Sequence, residues 1–237
     1  MKILLAGGSG LIGQALRSHF SDQGHEVRIL SRSNKKRTDF FHWNPTKGLI
    51  DKTAFHQIDV LINLAGSTIS EGRWTTKNKQ LLKESRVEST SFLIEQARIN
   101  CPDLKVYIGS SAVGIYKDGG AAILTESAEQ GDDFLADLAK EWETAHSLIE
   151  KMPNVRSSIV RIGIVLSKKG GAYPVFKKNM ILGISPNFGP KLYYPLVHIK
   201  DVNRVFQWII ENSKASGIYI LCCTTPAHHP EVFKWAG

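Results

Sequence analysis

Three glycines near the start of the chain, Gly7, Gly10 and Gly13, have the spacing of a phosphate cradle. They follow the apolar run Lys2–Ala6 and lead into Leu11, Ile12, Ala15, Leu16 and Phe20, which recur near the helical period. Strand, tight turn and helix are implied, and that context makes a Gly-x-x-Gly-x-x-Gly pattern informative. Gly7 permits the sharp turn, Gly10 lets backbone approach a pyrophosphate with no Cβ in the way, and Gly13 lets the helix pack closely on the sheet. The free N–H groups and the positive dipole end of that helix then face the phosphates. A second strand over 26–30 ends at Ser31-Arg32, where the ribose of a bound dinucleotide would lie. NAD-binding chains usually place an acidic residue there; Ser-Arg suits a 2′-phosphate, hence NADP.

Other side chains have chemical potential of their own. Arg73 and Arg86 are candidate anion clamps for a phosphate or carboxylate, the alternative being salt bridges on a helix surface. Tyr116 is a candidate proton donor, the alternative being a loop aromatic that packs on the cofactor face. His198 reads as architectural, beside an Asp201 that looks like a helix N-cap. Trp74 and Trp142 read as core. His228, His229 and Glu231 have no second ligand cluster, so no metal site is expected.

The elements that must position these groups alternate along the chain. Short strands are expected at 40–43, 59–64, 105–109 and 155–165, and helices at 11–23, 75–100 and 132–151, the last capped by Gly131 or Asp132. Leu81, Leu82, Phe92, Leu93 and Ala97 are the expected core positions of the long helix. Such alternation means βαβ units: an α/β, Rossmann-like, doubly wound parallel sheet with ligands beyond the carboxyl ends of the strands. The glycine loop, Ser31-Arg32, Ala65-Gly66, Ser110-Ser111 and Arg161-Ile162-Gly163 all fall at strand ends and converge on one crevice. The expected cofactor-binding set is Gly7, Ser9, Gly10, Leu11, Ile12, Gly13, Ser31, Arg32, Leu64, Ala65, Gly66, Arg86, Ser110, Ile162 and Gly163. Residues 1–165 form the NADP-binding domain, rejoined by a helix and strand within 199–223. Residues 166–237, rich in glycine and proline up to 195, form a small substrate lobe and tail.

Composition narrows the class. The chain of 237 residues is 42% hydrophobic and 22% charged, as in a globular protein of one domain with a smaller lobe. No apolar run is long enough to span a bilayer and no secretory signal is seen, so no membrane partner and a cytoplasmic location are expected. Cys101, Cys222 and Cys223 have neither metal nor disulfide-framework spacing, and Cys222 and Cys223, adjacent in an apolar run, are expected as buried reduced thiols. The net charge of +8 is scattered, its densest cluster being Lys35-Lys36-Arg37. An anionic cofactor or small-molecule substrate accounts for it, and without a groove-reading helix no nucleic-acid partner is expected.

The sequence resembles the extended short-chain dehydrogenase/reductase superfamily, and within it the atypical, epimerase-like branch. The resemblance covers nearly the whole chain. It is carried by GGSGLIG (7–13), SR (31–32), INLAG (62–66), GRWT (72–75), SRVEST (85–90), SSAVGIY (110–116), WE (142–143), RIGIVL (161–166) and VHIKDV (197–202). It implies a cytosolic NADP-binding oxidoreductase acting on a carbonyl or alcohol of a small molecule, a nucleotide sugar among the options. It also implies a hydroxyl at Ser111, or Ser110, and a Tyr-x-x-x-Lys pair in the next helix. That helix has no Tyr. Ala136 lies four before Lys140; if Glu143 sets the frame, Leu135 and Ala139 take the two places. Ser111, Tyr116 and Lys140 are the expected catalytic residues, and the absent Tyr motivates the alternative of a non-catalytic NADP(H)-binding sensor or scaffold. Residues 224–237 do not read like the helix and strand with which relatives continue, so a shortened or frame-altered tail is expected to leave apolar surface, with lower stability or covering by a homodimer mate as the consequence.

Overall fold

The computed structural model describes residues 1–33, 38–70, 72–181, 193–224 and 227–228. The Lys35-Lys36-Arg37 cluster, His229, Glu231 and residues 182–192 of the expected lobe lie outside these.

The first strand, β1 (Lys2–Ala6), turns through the glycines into α1 (Leu11–Asp22) and returns as β2 (Glu26–Ser31). The chain then runs out through β3 (Phe40–Asn44) and the short β4 (Leu49–Ile50). It comes back to the middle of the sheet as β5 (Val60–Asn63) and continues outward through β6 (Val106–Ala112) and β7 (Arg156–Ile162). The strand order is β12-β7-β6-β5-β1-β2-β3-β4, with β12 being Gly217–Leu221. All of its pairings are parallel except β3 with β4. This is a doubly wound, Rossmann-like sheet whose winding reverses between β1 and β5, and a crevice opens at that switch point beyond their carboxyl ends.

Strand alternation divides the core in two. Ile3, Leu5, Ile29, Ile62, Ile108 and Val160 face α1 and α6 (Ile199–Glu211), meeting Leu16, Phe20, Phe206 and Ile209. Leu4, Ala6, Leu30, Leu61 and Tyr107 face the other way, onto Phe55, Leu93 and Ala97. Burial of both faces explains why these strands are near-continuous apolar runs.

Several local expectations are corrected. The single helix over 75–100 is α2 (Thr76–Lys83), a π-helical turn Glu84–Glu88, and α3 (Ser89–Asn100). The extra residue of the π turn shifts the helix phase, so Leu81 is exposed while Leu82, Leu93 and Ala97 are buried. The next helix, α4, is Phe134–His146, capped by the Asp133 carboxylate on Ala136 N rather than by Gly131 or Asp132, and gives way to a 3₁₀ turn at Ser147–Lys151. The strand expected over 155–165 breaks at Gly163, where a Cβ would lie 2.1 Å from Pro195 O. There the chain leaves the large sheet and joins a small one as β8 (Ile164–Ser167). In it, β9 (Gly170–Gly171) precedes α5 (Ala172–Ile181), and β11 (Leu196–His198) pairs parallel with β8. A further pair joins β10 (Tyr193–Tyr194) to β13 (Ala227–His228). The N-cap of α6 is His198 itself, whose Nδ1 accepts from Lys200 N, and Asp201 instead pairs with Arg204 in the first turn. Trp74 is exposed, not core, and rests on Phe134. Cys222 and Cys223 are half-buried. Among the described residues no helix is long and apolar enough to cross a membrane.

Candidate functional site

A cavity of about 350 Å³ opens at the switch point, within the usual size of a ligand pocket. It is lined by the β1–α1 loop, the ends of β5, β6 and β7, and one face of α4.

The β1–α1 loop has its shape because two of its glycines admit no side chain. Gly7 has φ of +79°, and a Cβ there would lie 2.5 Å from Leu64 O. A Cβ on Gly13 would meet Gly7 O and Gly8 Cα, each at 2.5 Å. The turn is thus clamped between the exit of β5 and the first turn of α1. Gly10 differs: only Gly7 O, at 3.4 Å, is near its missing Cβ. No side chain caps α1, and the N–H groups of Leu11, Ile12 and Gly13 have no acceptor among the described residues. Three donors and the positive end of a helix therefore face the cavity, a ready anion site. Ser31 is buried at the end of β2 and bonds Ser33, while Arg32 beside it is exposed with no carboxylate partner among the described residues.

Leu64 N donates to Ala6 O, and Ala65 N to Asn63 Oδ1. Gly66 lets the Arg86 guanidinium come close, its missing Cβ lying 3.1 Å from Arg86 Cζ. Arg86 projects inward from the π turn, donates to Ser67 O at 2.9 Å, and stacks over the Trp142 ring at 5.2 Å. Burial lowers its pKa to about 10, so it stays charged at neutral pH.

The far wall is built differently. Ser111 lines the cavity and its Oγ donates to Glu143 Oε1 at 2.6 Å. Arg161, 2% exposed, grips Glu143 with Nε–H on Oε1 and Nη2–H on Oε2, both at 2.8 Å. Its Nη1 donates to Tyr116 OH at 2.5 Å and to Glu126 O. The bidentate carboxylate pair raises the Arg161 pKa, and burial raises that of Tyr116. Behind this wall, His146 accepts from Tyr107 OH at Nδ1 and donates from Nε2 to Ser110 O, with burial pushing its pKa down to about 4.

The fold brings Gly7, Gly10, Leu11, Ile12, Gly13, Leu64, Arg86, Ser110, Ser111, Ile162 and Gly163 to the cavity wall. Ser9 lies in the same loop, Ala65 and Gly66 follow Leu64, and Ser31-Arg32 ends the neighbouring strand. Of the expected reactive groups Ser111 is brought there, but Lys140 and Tyr116 are not. Lys140 Nζ is held by Asp137 at 2.6 Å and Gly131 O at 3.0 Å, away from the lining. The Tyr116 hydroxyl is engaged by Arg161 and also stays off the lining. Leu135, Leu138, Ala139 and Trp142 face the cavity instead, so the frame set by Glu143 describes the helix. The expected set omitted Glu143, Arg161 and this apolar stripe. The stripe's spacing of three, four and seven residues was a usable signal for one helix face. Trp142 is buried as expected, but it also walls the cavity while its Nε1 donates to Thr90.

Residues 3–134 match the sequence model of the NAD dependent epimerase/dehydratase family. The epimerase family protein YfhF of Bacillus subtilis is 34% identical over 224 residues, covering 92% of this chain and 72% of that protein. The epimerase family protein Mb2239 of Mycobacterium bovis is 30% identical over 230 residues, covering 97% and 75%. Among solved structures, the human epimerase family protein SDR39U1 (isoform2) with NADPH superposes with a TM-score of 0.84 at 28% identity, covering 98% of this chain and 77% of that one.

Proposed function

The chain belongs to the NAD dependent epimerase/dehydratase family, and we propose that it binds NADP in the switch-point crevice and acts as an epimerase-like oxidoreductase on a carbonyl or alcohol of a small anionic molecule. The observation that carries the cofactor reading is the open end of α1: three backbone N–H groups without acceptors among the described residues, set behind a Gly10 that leaves room for a phosphate. These residues fit the group. Gly7, Ser9, Gly10, Leu11, Ile12 and Gly13 would hold the pyrophosphate, and Leu64, Ala65 and Gly66 the adenosine side. Ser31 and Arg32 would take the 2′-phosphate, with Ser110, Ile162 and Gly163 at the far end of the crevice. NADPH in the SDR39U1 structure supports the choice of NADP over NAD.

The nicotinamide, when bound, supplies hydride chemistry. The chain's own contribution is orientation and exclusion of water. Leu135, Leu138, Ala139 and Trp142 form an apolar wall. Ser111 gives its hydroxyl hydrogen to Glu143, so its oxygen is left to accept a hydrogen bond from a substrate hydroxyl in the cavity. Lys140 and Tyr116, placed as described, take no part in the proposed step.

The same wall favours a second reading. A cavity whose Ser111 hydroxyl is tied to Glu143, with Leu135 and Ala139 in the Tyr and Lys places, also suits an NADP(H) sensor or scaffold. Two measurements separate the readings. Arg32→Ala is expected to weaken NADPH binding by about 1.5–3 kcal/mol and leave NADH nearly unchanged; equal loss for both would remove the 2′-phosphate role. Nicotinamide absorbance is then followed with NADPH and a panel of carbonyl compounds and nucleotide sugars. Turnover supports the oxidoreductase, whereas tight binding without turnover supports the sensor.

A further inference from the structure

Arg86 is 7% exposed, yet no carboxylate pairs with it among the described residues. The other deeply buried arginine, Arg161, has a bidentate Glu143. Leaving a guanidinium desolvated and without a counter-charge is costly, and proteins normally resolve it by pairing. The partners of Arg86 are neutral and incomplete. Nη2 donates to Ser67 O at 2.9 Å, and Nη1 makes long contacts to Leu82 O at 3.4 Å and Ser85 Oγ at 3.5 Å. Nε–H and the second Nη2 hydrogen have no acceptor among the described residues.

Two groups pack on the guanidinium. The Trp142 ring centroid lies 5.2 Å from its Cζ. Gly66 lies close over it, the atom nearest its missing Cβ being Cζ, at 3.1 Å, ahead of Nη2 at 3.2 Å and Nε at 3.3 Å. Packing of this kind restrains the plane and leaves the donor edge for a ligand. That edge is not sealed in protein: among the described residues the one fully buried side-chain nitrogen or oxygen without a partner is Asn203 Oδ1, and Arg86 lines the cavity. A planar, immobilised fork of N–H donors matches the oxygens of a phosphoryl or carboxylate group. The π turn explains how the cation reaches this place, because the extra residue in the helix turns Arg86 inward between α2 and α3.

We propose that Arg86 is the charge-pairing anchor for an anionic group, phosphoryl or carboxylate, of a ligand held in the cavity, with Gly66 and Trp142 holding its guanidinium plane in register. The anchor rests on the reading of the cavity as a ligand site, but not on the identity of the cofactor. The anion has two sources, the phosphates of the dinucleotide or a separate anionic substrate, and the recognition chemistry is the same for both.

The test titrates NADPH, and separately inorganic phosphate, into the full chain by calorimetry, using wild type, Arg86→Gln, Arg86→Lys and Gly66→Ala. Circular dichroism checks that each is folded. If the dinucleotide supplies the anion, Arg86→Gln weakens NADPH binding roughly 10- to 100-fold. Arg86→Lys, which keeps charge but not the fork, recovers only part of this. If a separate substrate supplies it, NADPH binding is unchanged in Arg86→Gln, and phosphate binds NADPH-loaded wild type but not the NADPH-loaded variant. Gly66→Ala, which shifts the guanidinium by a few tenths of an ångström without removing charge, weakens the same ligand in either case. Wild-type affinity for both NADPH and phosphate in Arg86→Gln overturns the proposal, as does wild type that takes no phosphate while Arg86→Gln keeps its NADPH affinity. Should wild type bind no NADPH, the cofactor reading fails and the phosphate arm still decides on Arg86. Should Arg86→Gln not fold, Arg86→Lys and Gly66→Ala carry the same comparison.

Discussion

At the amino end of α1, Leu11, Ile12 and Gly13 present N–H groups with no acceptor among the described residues, whereas across the cavity Ser111, Glu143, Arg161 and Tyr116 satisfy one another. The first region is shaped by glycines and finished by whatever binds to it. The second is a closed polar network at the base of α4 that needs nothing further. Unsatisfied donors in a cradle are where a ligand gains affinity. A satisfied buried ion pair holds structure in place and is costly to open from either side. The contrast explains why the α1 end is a ready anion site while the far wall supplies mainly shape and an apolar lining.

Four experiments press on this contrast. The largest effect is expected from Glu143→Ala, which strands Arg161 in the interior. Urea unfolding should show a loss of about 3–5 kcal/mol. A loss below about 1 kcal/mol would mean the network does not hold the wall. Acid should come next. His146 is neutral in the fold, with its pKa lowered from 6.5 to about 4 by burial. Between those values the unfolded chain binds more protons than the folded one, so stability falls as pH drops from 6.5 towards 4, by on the order of 3 kcal/mol. His146→Gln should flatten that part of the pH–stability curve; an unchanged slope would assign it to other groups.

The smaller effects separate two kinds of glycine in one loop. Gly13→Ala drives a Cβ to 2.5 Å from Gly7 O and Gly8 Cα. It should cost about 1–3 kcal/mol of stability, seen as a lower unfolding midpoint. Gly10→Ala has room in the protein, with its nearest atom at 3.4 Å. Its stability should stay within about 0.5 kcal/mol of wild type while NADPH affinity falls about tenfold. Equal destabilisation by both would erase the distinction between a packing glycine and a ligand-facing one.

The glycine loop was legible because its chemistry is local. Strand, turn and helix follow one another in thirteen residues, and backbone sterics dictate where side chains are excluded. The strand ends were legible for a related reason: parallel sheets buried on both faces have continuous apolar runs whose ends stand out. The π turn was not. Residues 75–100 keep helical periodicity on either side of it, and an inserted residue changes phase rather than pattern. Leu81 was therefore expected inside and lies outside, while Arg86, for which an anion clamp and a helix-surface salt bridge were the alternatives, is buried. The frame of α4 was ambiguous from motif spacing. Its cavity face at 135, 138, 139 and 142 became evident only once the helix was packed against the ends of β6 and β7.

The amino-acid sequence by itself determined the doubly wound sheet, the cradle at Gly7, Gly10 and Gly13, and the absence of a Tyr-x-x-x-Lys pair. Each depends on residues close together in the chain or on the period of burial. Only the tertiary structure decided that Lys140 turns away, that Arg86 enters the cavity with no carboxylate partner among the described residues, and that Ser111 is tied to Glu143. Ser111 and Glu143 are 32 residues apart, and Arg161 and Tyr116 are 45 apart. Pairs at such separations are chosen by how helix and sheet pack, because desolvation makes each buried polar group take whichever partner the packing brings within hydrogen-bond reach.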